Sequence, residues 1–215
     1  MQTQGETRRR IGRLPAADRQ QRRAQILRAA MAEIAEHGYE GATTARIAKR
    51  AGASKETLYA WFGDKPGLVA ALIEANADES VPIPVPDALD DGCTVDDARQ
   101  VLTACAEGLL LLLTSRDSIA LNRAAMTSAA LARTLREAGR GRTGEAVEEY
   151  LAGLHRVGVV QAPDAGEAFR LFFGLVVRDR QILALLGAEP PSAQECRVEA
   201  VRAVERFLAL VTSAA

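Results

Sequence analysis

Apolar residues recur three and four positions apart along most of this chain, which is the spacing of one face of an α-helix. The first such stretch begins at Asp18, a good N-cap residue, and runs to about His37, where Gly38 can end it. Helical spacing returns after Thr94, and no segment shows the convincing alternation of a strand. The pattern therefore predicts an all-α fold.

Residues 44–62 predict a helix-turn-helix. The first of two short helices ends at Gly52, because glycine tolerates the positive φ at which helices commonly stop. Ser54 can then accept a backbone N–H as the N-cap of the second helix. Two helices joined in this way form a unit whose second helix enters the major groove of DNA. The side chains expected to be buried are Ile47, Ala48 and Ala51 in the first helix, and Leu58 and Phe62 in the second.

Further features organise the chain after this motif. Pro66 suits the first turn of another helix, since proline lacks the N–H that would be unpaired there. Residues 79–93 include alternating proline and β-branched residues, which favour a stiff connector over a helix. Later, the spacing predicts one long helix over residues 163–186 and a last helix opened by Ser192. Each of these two carries an apolar stripe that is either internal core or a dimer seam.

Charge separates a basic N-terminal third from an acidic remainder. Residues 1–65 hold 13 Lys or Arg and 7 Asp or Glu, a net charge of +6. Residues 66–215 hold 14 and 21, a net charge of −7. A basic segment can neutralise DNA phosphates, although many proteins show such asymmetry by chance. Together with the helix-turn-helix pattern, it supports DNA binding.

Other classes of protein fit less well. No apolar run reaches the roughly 18 residues of a membrane helix, and residues 1–15 are too polar for a secretory signal. Cys93, Cys105 and Cys196 are odd in number, far apart and without metal-ligand spacing. We therefore expect a cytoplasmic protein with no membrane partner, metal or other cofactor.

The segment Gly52-Ala-Ser-Lys-Glu-Thr-Leu-Tyr-Ala-Trp-Phe-Gly-Asp-Lys65 resembles the recognition region of TetR-family transcriptional regulators. Residues 169–187 resemble the AefR-like branch of that family. The resemblance implies about nine helices, with an N-terminal three-helix DNA-binding domain and a C-terminal ligand-binding and dimerisation domain. It also implies a homodimeric repressor, joined through its last two helices, that a small-molecule effector releases from a palindromic operator. The expected segments are a flexible basic arm over residues 1–16, a helix-turn-helix domain over residues 17–65, and a helical effector-binding and dimerisation domain over residues 66–215.

Side-chain chemistry and the resemblance together nominate DNA-contacting residues. Lys55 can donate to guanine or phosphate, and Thr57 offers both a hydroxyl and a methyl group to a base edge. The resemblance assigns Tyr59 and Lys65 to phosphates. For Tyr59 and Trp61 the alternative is aromatic packing. The full predicted set is Thr44, Arg46, Lys55, Thr57, Tyr59, Ala60, Trp61 and Lys65.

A second set is predicted to line an effector pocket among the central helices, which the resemblance leads us to expect. Apolar side chains would form its walls, and a few polar ones would orient the ligand. For each residue the alternative is an ordinary place in the core or on the surface. The candidates are Leu109, Leu112, Leu113, Asn122, Met126, Phe169, Phe172, Phe173 and Arg178.

The sequence gives weaker support to other functions. The Gly-x-Gly-x-x-Gly pattern of residues 139–144 does not follow a strand, so it fails the structural test for dinucleotide binding. No serine or cysteine has a nucleophile signature, and we expect no catalytic residue. Oxidation of Cys105 or Cys196, or a protein partner, is the alternative to a small-molecule signal. Repression and activation stay equally open, since both dock the same helices on DNA.

Overall fold

The computed structural model describes residues 16–78, 89, 92–137 and 142–212, and within them it contains helices and no strand. Most of the predicted basic arm and connector lies outside these residues. None of the described helices combines the length and apolarity needed to cross a bilayer. The helices are α1 Ala16–Gly41, α2 Thr44–Ala51, α3 Lys55–Phe62, α4 Lys65–Asp78, α5 Val95–Thr114, α6 Arg116–Met126, α7 Ala129–Leu135, α8 Arg142–Arg156, α9 Ala165–Val177, α10 Arg180–Leu185 and α11 Ala193–Val211.

Local capping sets the ends of α2 and α3. The Thr43 hydroxyl accepts the backbone N–H of Arg46 at the start of α2, and Gly52 leaves its end with φ 58°. The Ser54 hydroxyl then accepts the N–H of Thr57 at 3.1 Å. These contacts satisfy backbone groups that the first turn of a helix leaves unpaired. The helix-turn-helix predicted for residues 44–62 is thus confirmed.

The apolar side chains form two cores. The first joins α1–α4 to α6 and α7, with Ile26, Ile47 and Leu68 almost fully buried. The second joins α5, α8, α9 and α11, and Phe172 meets Phe207 there with ring centroids 5.4 Å apart. Helix α6 packs against both α1 and α5. Because α6 touches the helices of both cores, it mechanically connects the two halves of the chain.

The prediction of one continuous helix over residues 163–186 was wrong. The structure divides this segment into α9 and α10 at Arg178, whose φ is 47° and ψ is −125°. An L-residue at positive φ cannot continue a right-handed helix, so the hydrogen-bond ladder stops after Arg178 donates to the Gly174 carbonyl. The apolar spacing runs on through the break, and for this reason the sequence pattern did not show it. The described residues contain eleven helices, roughly the expected count of about nine.

Candidate DNA-binding surface

Helix α3 presents one face to the core and the other to solvent. Leu58 is buried and anchors the helix, whereas Lys55 and Ala60 are exposed and Tyr59 keeps 51% of its surface accessible. Thr57 is half-buried, and its hydroxyl lies 3.1 Å from that of Ser54. The structure therefore places five of the predicted residues on one short helix, and three of them, Lys55, Tyr59 and Ala60, are exposed to solvent on the side where DNA could approach.

The N-terminus of α2 reaches the same surface. The Thr44 hydroxyl lies 3.3 Å from the Tyr59 hydroxyl on α3. Helix N-termini attract phosphates, since their unpaired N–H groups and the helix dipole carry partial positive charge. The structure thus brings together two residues that the sequence nominated separately.

Trp61 lies at the edge of this surface. It is half-buried against the first core, and its ring meets Phe62 edge-on with centroids 6.5 Å apart. The guanidinium of Arg19 lies 5.7 Å from the Trp61 ring centroid. Trp61 therefore packs from α3 against α1, and its contact with DNA stays a prediction.

Lys65 links the start of α4 to the end of α1. Its ammonium group lies 4.3 Å from the Tyr39 ring centroid and 3.4 Å from the Glu40 carbonyl oxygen. Burial, followed by the charges of Glu40 and Asp64, raises the pKa of Tyr39, so its phenol stays neutral beside the cation. Lys65 is thus held next to the helix-turn-helix rather than reaching freely into solvent.

Arg46 has close neighbours on α1. Its Nε lies 3.1 Å from Oε2 of Glu33, and its Nη2 contacts Nε2 of His37. Sequence reasoning missed Glu33, although one signal existed, since a carboxylate occurs inside the apolar stripe of α1. It also missed Arg22, which donates to the Gly52 carbonyl and braces the turn between α2 and α3.

The residues predicted to line an effector pocket lie in different surroundings in the structure. Leu109, Phe169 and Phe172 belong to the second core, and Leu113 and Phe173 pack against it. Asn122 lies on α6, where it donates to the Ser118 carbonyl at 2.8 Å, and Met126 at the end of that helix is 69% exposed. Leu112 is half-buried, and Arg178 is exposed at the break between α9 and α10.

The two cysteines considered as redox sensors are both buried. Burial raises the pKa of the Cys105 thiol to about 12. Burial, together with neighbouring carboxylates, also raises the pKa of Cys196. Because the thiolate is the reactive form, these positions disfavour oxidation in the folded chain.

The fold and this surface define a helix-turn-helix DNA-binding protein. Comparison with protein families specifies the class further. Residues 26–72 match the model of bacterial regulatory proteins of the TetR family, and residues 100–210 match that of the C-terminal domain of AefR-like transcriptional repressors. The chain therefore belongs to the TetR family of transcriptional regulators, which is not a class of enzymes.

Solved structures of TetR-family regulators are similar in fold to this chain over most of its length. A TetR regulator from Agrobacterium tumefaciens is 33% identical with a TM-score of 0.75, and the match covers 88% of this chain and 94% of that one. A TetR-family regulator from Mesorhizobium loti MAFF303099 is 26% identical with a TM-score of 0.77, covering 93% of this chain and 100% of that one. Among curated proteins, the HTH-type transcriptional repressor SCO4008 of Streptomyces coelicolor is 40% identical over 73 residues. That match spans 34% of this chain and only 38% of the repressor.

Proposed function

We propose that the protein is a homodimeric repressor that binds a palindromic operator and leaves it when a small-molecule effector binds. The observation that carries this proposal is the shared surface of α2 and α3, where Thr44 and Tyr59 meet beside exposed Lys55 and Ala60. Such a surface offers groups for phosphates and for base edges at once. We place its action in the cytoplasm, where the DNA of a bacterial cell lies.

Exposed apolar side chains from α9 to α11 support dimerisation through the last helices. Leu186 is 81% exposed, and Val198 and Val201 form an exposed pair three residues apart on α11. A second copy related by a two-fold axis would cover these side chains and place two α3 helices for two half-sites. The large apolar residues exposed in this part of the chain are Leu171 on α9, Ile182 and Leu183 on α10, Leu186 directly after α10, and Val198, Val201 and Leu210 on α11.

The arrangement of the helices also supports release by an effector. The rings of Phe169 and Phe173 have centroids 5.9 Å apart. Phe169 belongs to the second core together with Leu109, and Phe173 and Leu113 pack against it. A ligand inserted between α5 and α9 would displace α5, and α5 packs on α6. Because α6 in turn packs on α1, such a displacement would reach the DNA-binding helices.

Selection of bound fragments from a genomic DNA pool at two salt concentrations tests the proposal. Recovery of one palindromic motif, with half-sites about one helical turn apart, would support a sequence-specific dimer. Genes beside the recovered sites would then shortlist effectors, and a true effector should lower the affinity for the motif. Weak binding without a motif, abolished by salt, would overturn the proposal.

A further inference from the structure

Five charged or titratable side chains meet where α1 packs on α2. We call this the α1–α2 charge cluster, and its centre is Glu33, which is only 4% exposed. The Glu33 carboxylate faces two arginines, with Arg46 Nε 3.1 Å from Oε2 and Arg50 Nε 3.3 Å from Oε1. Arg50 Nη2 also donates to both carboxylate oxygens of Glu36, each at 2.8 Å. The fifth member is His37, whose Nδ1 lies 3.6 Å from Glu33 Oε2.

The contact between Arg46 and His37 fixes the proton of the imidazole. A guanidinium can only donate, so Nε2 of His37 must accept from Nη2 of Arg46. The single ring proton then lies on Nδ1, which points towards Glu33 and Glu36 at 3.6 and 3.9 Å. This arrangement exists only while the ring is neutral. A second proton would occupy Nε2 and turn the acceptor into a donor facing another donor.

The charges around the His37 ring determine which side chain would move away if the ring gained a second proton. From α1, Glu33 and Glu36 face Nδ1 and attract an imidazolium, while from α2 Arg46 and Arg50 repel it. Arg50 has two carboxylates to hold it. The Arg46 side chain is 45% exposed, and among the described residues its charged or polar partners are Glu33 and His37, so it is the one that can turn outwards.

One oxygen of Glu33 reinforces this conclusion. Oε2 is buried and receives no hydrogen bond of normal geometry from any described residue, even though Arg46 Nε lies 3.1 Å away. A buried carboxylate oxygen without a good donor is unfavourable. The contact between Arg46 and Glu33 is therefore a charge contact off the hydrogen-bond direction, which Arg46 can exchange for a phosphate.

We propose that Glu33 and His37 are positioning residues that hold Arg46 against α1 while the imidazole is neutral, and that protonation of His37 releases Arg46 to a DNA phosphate. Arg46 lies in the first turn of α2, two residues from Thr44 on the DNA-binding surface. The proposal rests on the proposed function only in that DNA is the ligand. It makes the number of phosphate contacts depend on whether the His37 ring carries one proton or two.

The test is the salt dependence of DNA affinity at about pH 5.5 and about pH 8, measured with a random duplex and with the selected motif. Each phosphate contact contributes a slope of about 0.9 in a plot of log K against log salt concentration. We expect the wild-type slope to steepen by roughly one contact at the lower pH. His37→Gln should keep the shallow slope at both pH values, because the glutamine amide can accept from Arg46 and does not titrate.

Two further variants separate this mechanism from its rivals. Arg46→Gln should abolish the steepening, whereas a direct contact between imidazolium and phosphate would survive in that variant. His155→Gln replaces the other of the two histidines, which lies on α8 near the Val160 carbonyl, and should respond like the wild type. Thermal unfolding of each variant at both pH values confirms that the fold is intact.

A slope that does not change with pH in the wild type, or that changes equally in His37→Gln, would overturn the proposal. A pH-dependent slope that persists in Arg46→Gln would overturn it as well. Failure to select any motif, with the expected slopes on random duplex, would instead contradict the proposed sequence-specific function alone. The two proposals can therefore fail separately.

Discussion

The hydroxyl groups of Thr44 and Tyr59 lie 3.3 Å apart, although fifteen positions separate the two residues in the chain. Thr44 opens α2 and Tyr59 lies in α3, so this pair joins the two helices of the motif at the surface that faces solvent. Either hydroxyl can exchange its partner for a phosphate oxygen, because both groups donate as well as accept. This geometry supports the proposed contact of both residues with the DNA backbone.

Removing the Tyr59 hydroxyl should weaken binding without changing sequence preference. Tyr59→Phe keeps the ring but removes the donor, and a hydrogen bond to a charged group contributes about 1.5–3 kcal/mol. We expect the Kd to rise roughly tenfold or more on both motif and random DNA in an electrophoretic mobility assay. Tyr150→Phe is the matched control, since Tyr150 is buried in the second core. Loss on the motif alone would contradict the phosphate assignment.

Thr57 should act on specificity instead. Thr57→Ala removes the hydroxyl and the methyl group offered to a base edge, whereas Thr57→Ser restores the hydroxyl. The backbone N–H of residue 57 still reaches the Ser54 hydroxyl in both variants, so the helix start is kept. We expect Thr57→Ala to relax preference at one base position, at a cost of about 1–3 kcal/mol, in a repeated fragment selection. Equal losses on motif and random DNA would exclude a base contact.

Gly67 should not tolerate a side chain. A Cβ at this position would lie 2.1 Å from the Phe62 carbonyl oxygen, and backbone cannot yield as a flexible side chain does. Gly67→Ala should lower the free energy of unfolding by about 1–3 kcal/mol, as measured by urea titration. Gly174→Ala is the comparison, because a Cβ there meets nothing within 4 Å. It should be neutral or stabilising by about 1 kcal/mol, since alanine favours the helix interior.

Charges on the exposed face of α11 should disrupt the proposed dimer. Val201→Glu places a carboxylate among side chains that a second copy would bury, and an unpaired buried charge is strongly unfavourable. We expect a shift from dimer to monomer in analytical ultracentrifugation, with weaker operator binding. Leu111→Glu changes a similarly exposed apolar residue on α5 and should leave the assembly intact. If Leu111→Glu dissociated the dimer and Val201→Glu did not, the interface would lie on α5 and not on α11.

Mild peroxide at neutral pH should leave DNA binding unchanged. The pKa of Cys105 is raised to about 12 by burial, so its thiol stays protonated well above neutral pH in the folded chain. Because the folded chain holds the Cys105 proton more tightly than the unfolded chain, protonation of this thiol contributes to the free energy of unfolding below the thiol's unfolded pKa. That contribution is lost as the pH rises towards 12. Loss of binding on peroxide treatment, prevented by Cys105→Ser or Cys196→Ser, would establish the redox alternative.

Much of the DNA-binding motif could be read from the sequence because its signals are local. Gly52 adopts the positive φ expected at the end of α2, and Ser54 caps α3 as expected. Leu58 is buried, as its spacing predicted. Each of these depends on residues within one or two turns, where steric limits and capping act without help from the rest of the chain.

Other features depended on long-range packing and were not predictable in the same way. Apolar spacing runs on without interruption through Arg178, yet this residue takes a positive φ that local preference disfavours. The predicted effector residues share an apolar character, but Met126 and Phe172 lie in quite different surroundings. Spacing places a residue on a face of its own helix, whereas only tertiary packing decides what covers that face.

The sequence by itself determined an all-helical chain, a helix-turn-helix and the residues that cap and present its second helix. Only the tertiary structure joined Thr44 to Tyr59 and gathered Glu33, His37 and Arg46 into one cluster. The physical reason is the range of the forces involved. Backbone sterics and capping act between neighbours in sequence, whereas charge contacts and burial act between neighbours in space.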